Sequence, residues 1–313
     1  MFRRWLSEFI RNNKDKIKKV IKLFGLLILI GFGAMLAFKT ENNSTKEKSQ
    51  NTIYNPTKPV IEGKSVEQEE FKQEEKLINS FVEYCNNNEI QEAYNLLTDE
   101  CKTKMYPNLE AFKKKYCNVI FTQNKECNLQ SWVTSKNYNT YKATFMEDIM
   151  TTGNYENVKK FEDYITIVTK NEEQKINING YIKTEEIGTI SKTENLEINV
   201  KSADIYMNNV RYFLEITNLS ENDILLDTLN DETIKLIGTN DAEYALDESN
   251  LFSSNLVIYR NSKNRKVELN FTKQYGSGVK GKSIEFRKVI TNYEKYLKDQ
   301  TNYNEYKKLS IKL

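Results

Sequence analysis

The sequence predicts an α+β protein: one N-terminal transmembrane helix, then helices laid on one face of a curved antiparallel sheet, then an all-β sandwich. Three patterns predict it. A single long apolar run occupies residues 23–38, helical spacing of apolar residues fills 77–116, and alternating apolar and polar residues recur from about 129 to 289. At roughly 150 residues per domain, a chain of 313 residues has room for two domains beyond the apolar run.

The run LFGLLILIGFGAMLAF carries no charge. With Val20 and Ile21 added, and Lys22 able to snorkel, it reaches the roughly 20 residues that a spanning helix needs. Basic residues crowd its N-terminal side, Arg3, Arg4, Lys18, Lys19 and Lys22 among them. The positive-inside rule then predicts a single-pass cell-membrane protein, spanning at 20–38, with residues 1–22 cytoplasmic and later domains extracellular. A cleaved signal peptide fits less well, because Met35 would stand at −3 of the cleavage site, where a small residue is wanted.

Composition narrows the function. The first 22 residues hold eight basic and two acidic side chains, a net of +6, which leaves about −4 for the remainder of a chain whose total is +2. That balance argues against nucleic acid as partner and assigns the basic end to anionic lipid of the bilayer. Histidine is absent altogether, which removes Ser–His–Asp and Cys–His catalysis and histidine-ligated zinc. The expectation is therefore of no enzyme, no cofactor and no metal. Cys85, Cys101, Cys117 and Cys127 lie close together without a C-x-x-C spacing. An oxidising exterior would allow three pairings, whereas buried free thiols suit the Asn-, Lys-, Ile- and Tyr-rich usage that resembles low-GC Gram-positive bacteria.

Residues 39–73 are polar, contain Pro56 and Pro59, and read as a flexible stalk. Helical stripes follow at Leu77, Ile78, Phe81, Tyr84 and Cys85, then at Ile90, Ala93, Tyr94 and Leu97. Asn88 with Gln91 fits a capping box, and Pro107–Asn108 opens a third helix through Leu109, Phe112 and Tyr116. Strands are expected at 129–135, 139–150, 160–170 and 174–184. The segment NNEIQEAYNLLTDECKTKMYPNLEAFKKKY followed by these strands resembles the NTF2-like superfamily, which implies a cone of three helices on a bent sheet over 74–186.

After a connector at 185–194, strand alternation continues at Leu196–Ile198–Val200 and Val210–Tyr212–Leu214–Ile216, and in later segments. The runs RYFLEITNLSENDILLD and VELNFTKQY resemble the immunoglobulin-like domains of bacterial surface proteins, expected over 191–291 with a short tail at 292–313. Gly276, Gly278 and Gly281 surround Lys280 but miss the phosphate-loop pattern, so a flexible turn is expected.

Asp148, Asp163 and Tyr164 stand as acid–base candidates on the cone strands. Trp132, Tyr141, Phe145, Phe161 and Tyr164 are the ligand-pocket candidates that an open cone would expose. Anchor, stalk and outer NTF2-like domain together are similar to the VirB8- and TcpC-type scaffolds of conjugation machines. The similarity implies a non-catalytic role at the bacterial envelope, through an envelope protein partner or self-association. The alternative is a sensor holding a small molecule or cell-wall fragment in the cone.

Overall fold

The computed structural model describes residues 56–147, 160–230, 232–276 and 278–313. Residues Pro56–Leu313 form one compact unit, which carries all of the described architecture. The expected spanning helix at 20–38 and its basic flank, Arg3, Arg4, Lys18, Lys19 and Lys22, lie outside the described residues. Among the described residues no helix is long and apolar enough to cross a membrane. On that finding, the expectation of a single-pass, membrane-localised protein with extracellular domains is corrected.

The fold class needs correction too. The described chain is mostly β, with 45% strand against 22% helix. Two stretches expected as connector and tail are strands, and this shifts the balance away from α+β.

The first module begins with α1 (Gln68–Asn86), which buries Phe71, Ile78, Phe81, Val82 and Cys85 along one face. Asn88, with φ of 58°, turns the chain in the left-handed region that Asn tolerates and ends the helix. It therefore closes α1 rather than boxing the next helix, α2 (Ile90–Asn95), whose first residue follows Glu89. Thr98 Oγ1 accepts from Cys101 N at 3.0 Å to cap α3 (Asp99–Met105). Asn108 Oδ1 accepts from Ala111 N at 2.8 Å to cap α4 (Leu109–Phe112). A π-helical turn (Lys113–Cys117) and α5 (Asn118–Ile120) complete the helical layer.

These helices cover one face of an antiparallel sheet in the order β1 (Lys125–Thr134), β2 (Tyr138–Glu147), β3 (Lys160–Lys170), β4 (Glu173–Asn177). The expected stalk is folded from Pro56 onward. Pro56 O accepts from Ser131 N at 2.8 Å, and Ile61 N donates to Trp132 O at 2.9 Å, so this strap covers the open edge of β1.

The strand expected at 174–184 breaks at Asn179 and Gly180, whose φ angles of 56° and 67° no strand accommodates. Beyond the break, β5 (Tyr181–Lys192) belongs to a second sheet in the order β12 (Arg265–Thr272), β7 (Asn209–Asn218), β6 (Leu196–Tyr206), β5. A third sheet contains β8 (Ile224–Leu225), β9 (Ile234–Gly238), β10 (Glu243–Ala245), β11 (Val257–Ile258) and β13 (Gly281–Ile290). Its β13 also pairs with β14 (Tyr306–Lys312), formed by the segment expected to be a tail, after a short helix α6 (Tyr293–Lys298). Leu214, Leu269 and Phe271 of the second sheet meet Leu236, Phe286 and Ile311 of the third in one buried core.

Two buried carboxylates in the first module are each met by hydrogen-bond donors. Asp163 on β3 accepts from Tyr116 Oη at 2.8 Å, Asn179 N at 3.0 Å and Tyr164 N at 2.7 Å. Burial raises its pKa and these donors oppose the rise. Its place among structural donors removes it from the acid–base candidates. Glu74 on α1 accepts from the Tyr141 hydroxyl and from Asn139 Nδ2 at 3.0 Å. Burial lifts its pKa from 4.5 to about 7, against the pull of those two bonds.

Asp163→Asn turns an amide N–H₂ toward a backbone N–H and should lower unfolding stability by about 3 kcal/mol in urea titrations. For Glu74 the folded pKa lies above the unfolded one, so its stabilising contribution is complete below pH 4.5 and is lost as pH rises through 7. Glu74→Gln should therefore match the parent at pH 4.5 and exceed its stability by about 3 kcal/mol at pH 8. Parallel curves at both pH values would contradict that linkage.

Candidate functional site

The β12–β13 connection, residues 273–280, reaches back from the second module onto the strap of the first. Tyr275 N donates to Met207 O at 2.7 Å, and Gly278 N donates to Glu62 Oε2 at 3.1 Å. Gly276 sits at φ of 92°, where an added Cβ would come within 2.8 Å of Ile61 Cγ2 and 3.1 Å of Val133 Cγ2. Only glycine allows this close approach. The expected flexible turn is thus a fitted clasp.

Beneath the clasp lies a cleft of about 320 Å³, floored by β5 and β7 and walled by Tyr138, Lys183, Tyr212, Lys273 and Tyr275. The rings of Tyr138 and Tyr275 stand 6.3 Å apart at an interplanar angle of 52°. Lys183 Nζ lies 5.4 Å from the Tyr138 ring centre and forms an ion pair with Glu185. Burial would raise the Tyr138 pKa, but the bonds from Tyr275 and Lys183 outweigh it and hold the phenol below its ordinary value. Burial also opposes charge on Lys183, yet Glu185 and Tyr138 hold its pKa above the usual one.

Lys273 is the contrasting cation. Burial lowers its pKa, and the fields of Glu185 and Glu62 only partly offset that. Its Nζ rests 5.7 Å from the Tyr244 ring centre and makes no hydrogen bond or ion pair among the described residues. Larger grooves exist, including one of about 740 Å³ beside β4. The junction cleft is favoured over them because phenol and ammonium groups with displaced pKa values converge in it.

The pocket residues expected from sequence fall on opposite faces of the first sheet. Tyr141 and Phe145 are fully buried beneath the helices, where Phe81, Phe112 and Tyr116 also pack. Phe161 pairs with Phe145 across the strands, rings 6.5 Å apart, at the 37% exposed end of that face. Trp132 and Tyr164 lie on the other face, rings 5.5 Å apart, against the second module's Met207 and Ile205. The space between the helices and the first sheet is filled by side chains, so these five residues line no common cavity. Asp148 lies outside the described residues.

All four cysteines are free. Cys85 and Cys117 bring their sulfurs to 3.7 Å in the core of the first module, and burial pushes the Cys101 and Cys127 thiols up to about 12. Among the described residues no group of Cys, Asp and Glu could hold a metal ion.

The cleft residues come from segments about 140 positions apart, and their alternation reads as ordinary strand. The glycine spacing at 276, 278 and 281 was the one sequence signal pointing to the place. Comparison with protein-family models, with curated proteins and with solved structures found no match to this chain.

Gly276→Ala should cost about 2 kcal/mol of stability, combining left-handed strain with the clash at Ile61. Gly188→Ala, at φ of 68° with nothing within 4 Å of the added carbon, should cost about 1 kcal/mol. Thermal or urea unfolding of the two variants measures the difference that the clasp makes.

Proposed function

We propose that this protein is a non-catalytic binding protein that recognises its partner at the cleft where the two modules meet. The observation that carries the reading is the convergence of Lys183, Lys273, Tyr138 and Tyr212 on one cavity, while the cone interior is packed shut. Module junctions of this kind favour ligand sites, because two rigid surfaces contribute groups that neither could place alone.

Two facts weigh against catalysis. The chain has no histidine. The buried carboxylates that could act as bases, Asp163 and Glu74, spend their oxygens on structural donors. The reading of a ligand held inside the cone loses its physical basis because Tyr141 and Phe145 occupy that space.

Photo-cross-linking in living cells tests the proposal. p-Benzoylphenylalanine placed at Val279, on the cleft wall, should give a discrete adduct, and the same probe at Lys308 on β14 should not. Matching adduct patterns at both positions would remove the cleft as the recognition site.

A further inference from the structure

The charge balance of the cleft indicates what it takes. Lys183, Lys273 and Lys280 line it against Glu62 and Glu185, which leaves one positive charge uncompensated. Glu185 is engaged with Lys183, and Glu62 with the Gly278 amide. Lys273 Nζ has no hydrogen-bond or ion-pair partner among the described residues, and neither does the Tyr212 hydroxyl, although both belong to the cleft wall. A half-buried ammonium without an acceptor is a costly arrangement, and an anion brought to it relieves the cost.

The rest of the wall is mixed, with Asn209 and Tyr206 beside aliphatic side chains. Ile205, Val210 and Val279 face the same space as the Tyr275 ring. A doubly charged phosphate would meet the two glutamates with only one net positive charge to balance it, whereas a single carboxylate matches that charge.

We propose that the junction cleft binds a monocarboxylate with an apolar body, Lys273 supplying the countercharge, Tyr212 a hydrogen bond, and the aliphatic wall the surface that buries the body. This rests on the reading of the cleft as the recognition site. The carboxylate could belong to a free acid or to a peptide C-terminus, since both present the same group.

The test is NMR titration of the isotope-labelled full chain, following the methyl signals of Ile205, Val210 and Val279. The probes are 3-phenylpropanoate, its neutral amide, inorganic phosphate, and a tripeptide ending in free or amidated phenylalanine. Saturable shifts are expected with the carboxylate, at least about tenfold weaker with the amide and with phosphate. Lys273→Met should weaken 3-phenylpropanoate about tenfold while Lys273→Arg retains most of the affinity, each variant first checked for a dispersed spectrum. Tyr212→Phe, which keeps the ring, should weaken it less.

Equal binding of acid and amide, unmoved by Lys273→Met, would overturn the carboxylate assignment and leave the cleft as a binding site. No shift with any probe would overturn it as well, and the cross-link at Val279 then decides separately whether the recognition site itself survives. A free C-terminal tripeptide that binds more tightly than 3-phenylpropanoate identifies the source as a peptide end; the reverse identifies a free acid.

Discussion

The Asp163 carboxylate is the interaction on which the architecture turns. One oxygen takes the backbone N–H of Tyr164; the other takes Asn179 N and the Tyr116 hydroxyl. Asn179 and Gly180 are the corner at which the chain leaves the first sheet for the second. At this left-handed corner Gly180 N donates to Tyr164 O of the first sheet, while the Asn179 N–H has no strand partner. Asp163 accepts that N–H and ties it to the aromatic core through Tyr116. Asn179 also donates its side-chain amide to the Tyr106 hydroxyl, so this end of the corner is held from the helical layer as well.

With that corner fixed, the strap at 56–66 and the clasp at 273–280 follow. Met207 N donates to Gly180 O at 2.8 Å, and Met207 O accepts from Tyr275 N, so the corner, the β6–β7 turn and the clasp form one hydrogen-bonded chain. Val133, Ile182 and Met207 pack as a small separate core beneath it, with Trp132 and Tyr164 at its rim. The two modules therefore share an apolar seam rather than a linker. The cleft is the space left beside that seam, with β-strand residues such as Lys183 and Tyr212 on one side and the clasp residues Lys273 and Tyr275 on the other.

Charge is distributed with similar economy. The inward carboxylates, Asp163 and Glu74, are surrounded by phenol and amide donors, which stabilise an oxygen-rich group without a buried counter-ion. Lys125 of β1 is the buried exception among the described lysines, paired with Glu147 at 3.0 Å. Within the cleft, Lys183 and Lys273 have similar burial and opposite fates: Glu185 is bonded to the first, while the second faces only distant carboxylates and the Tyr244 ring. That asymmetry marks one lysine as structural and the other as available.

Local pattern was legible in the sequence. The stripe through Ile78, Phe81 and Cys85 is the buried face of α1, Asn108 caps the helix it was expected to open, and the alternation through Val210, Tyr212, Leu214 and Ile216 is β7. Such features depend on neighbours within a few residues, and periodicity records them. The tertiary structure decided what no local window contains. It broke the strand at Asn179–Gly180, folded the stretch after Pro56 onto β1, recruited residues 306–312 as a strand, and split the expected pocket residues between the two faces of one sheet. It also brought Tyr138 to Tyr275 and left Lys273 without an acceptor among the described residues. Each of these outcomes is set by which hydrogen-bonding edge and which apolar face remain open once the other parts have packed, and a linear sequence does not display that competition.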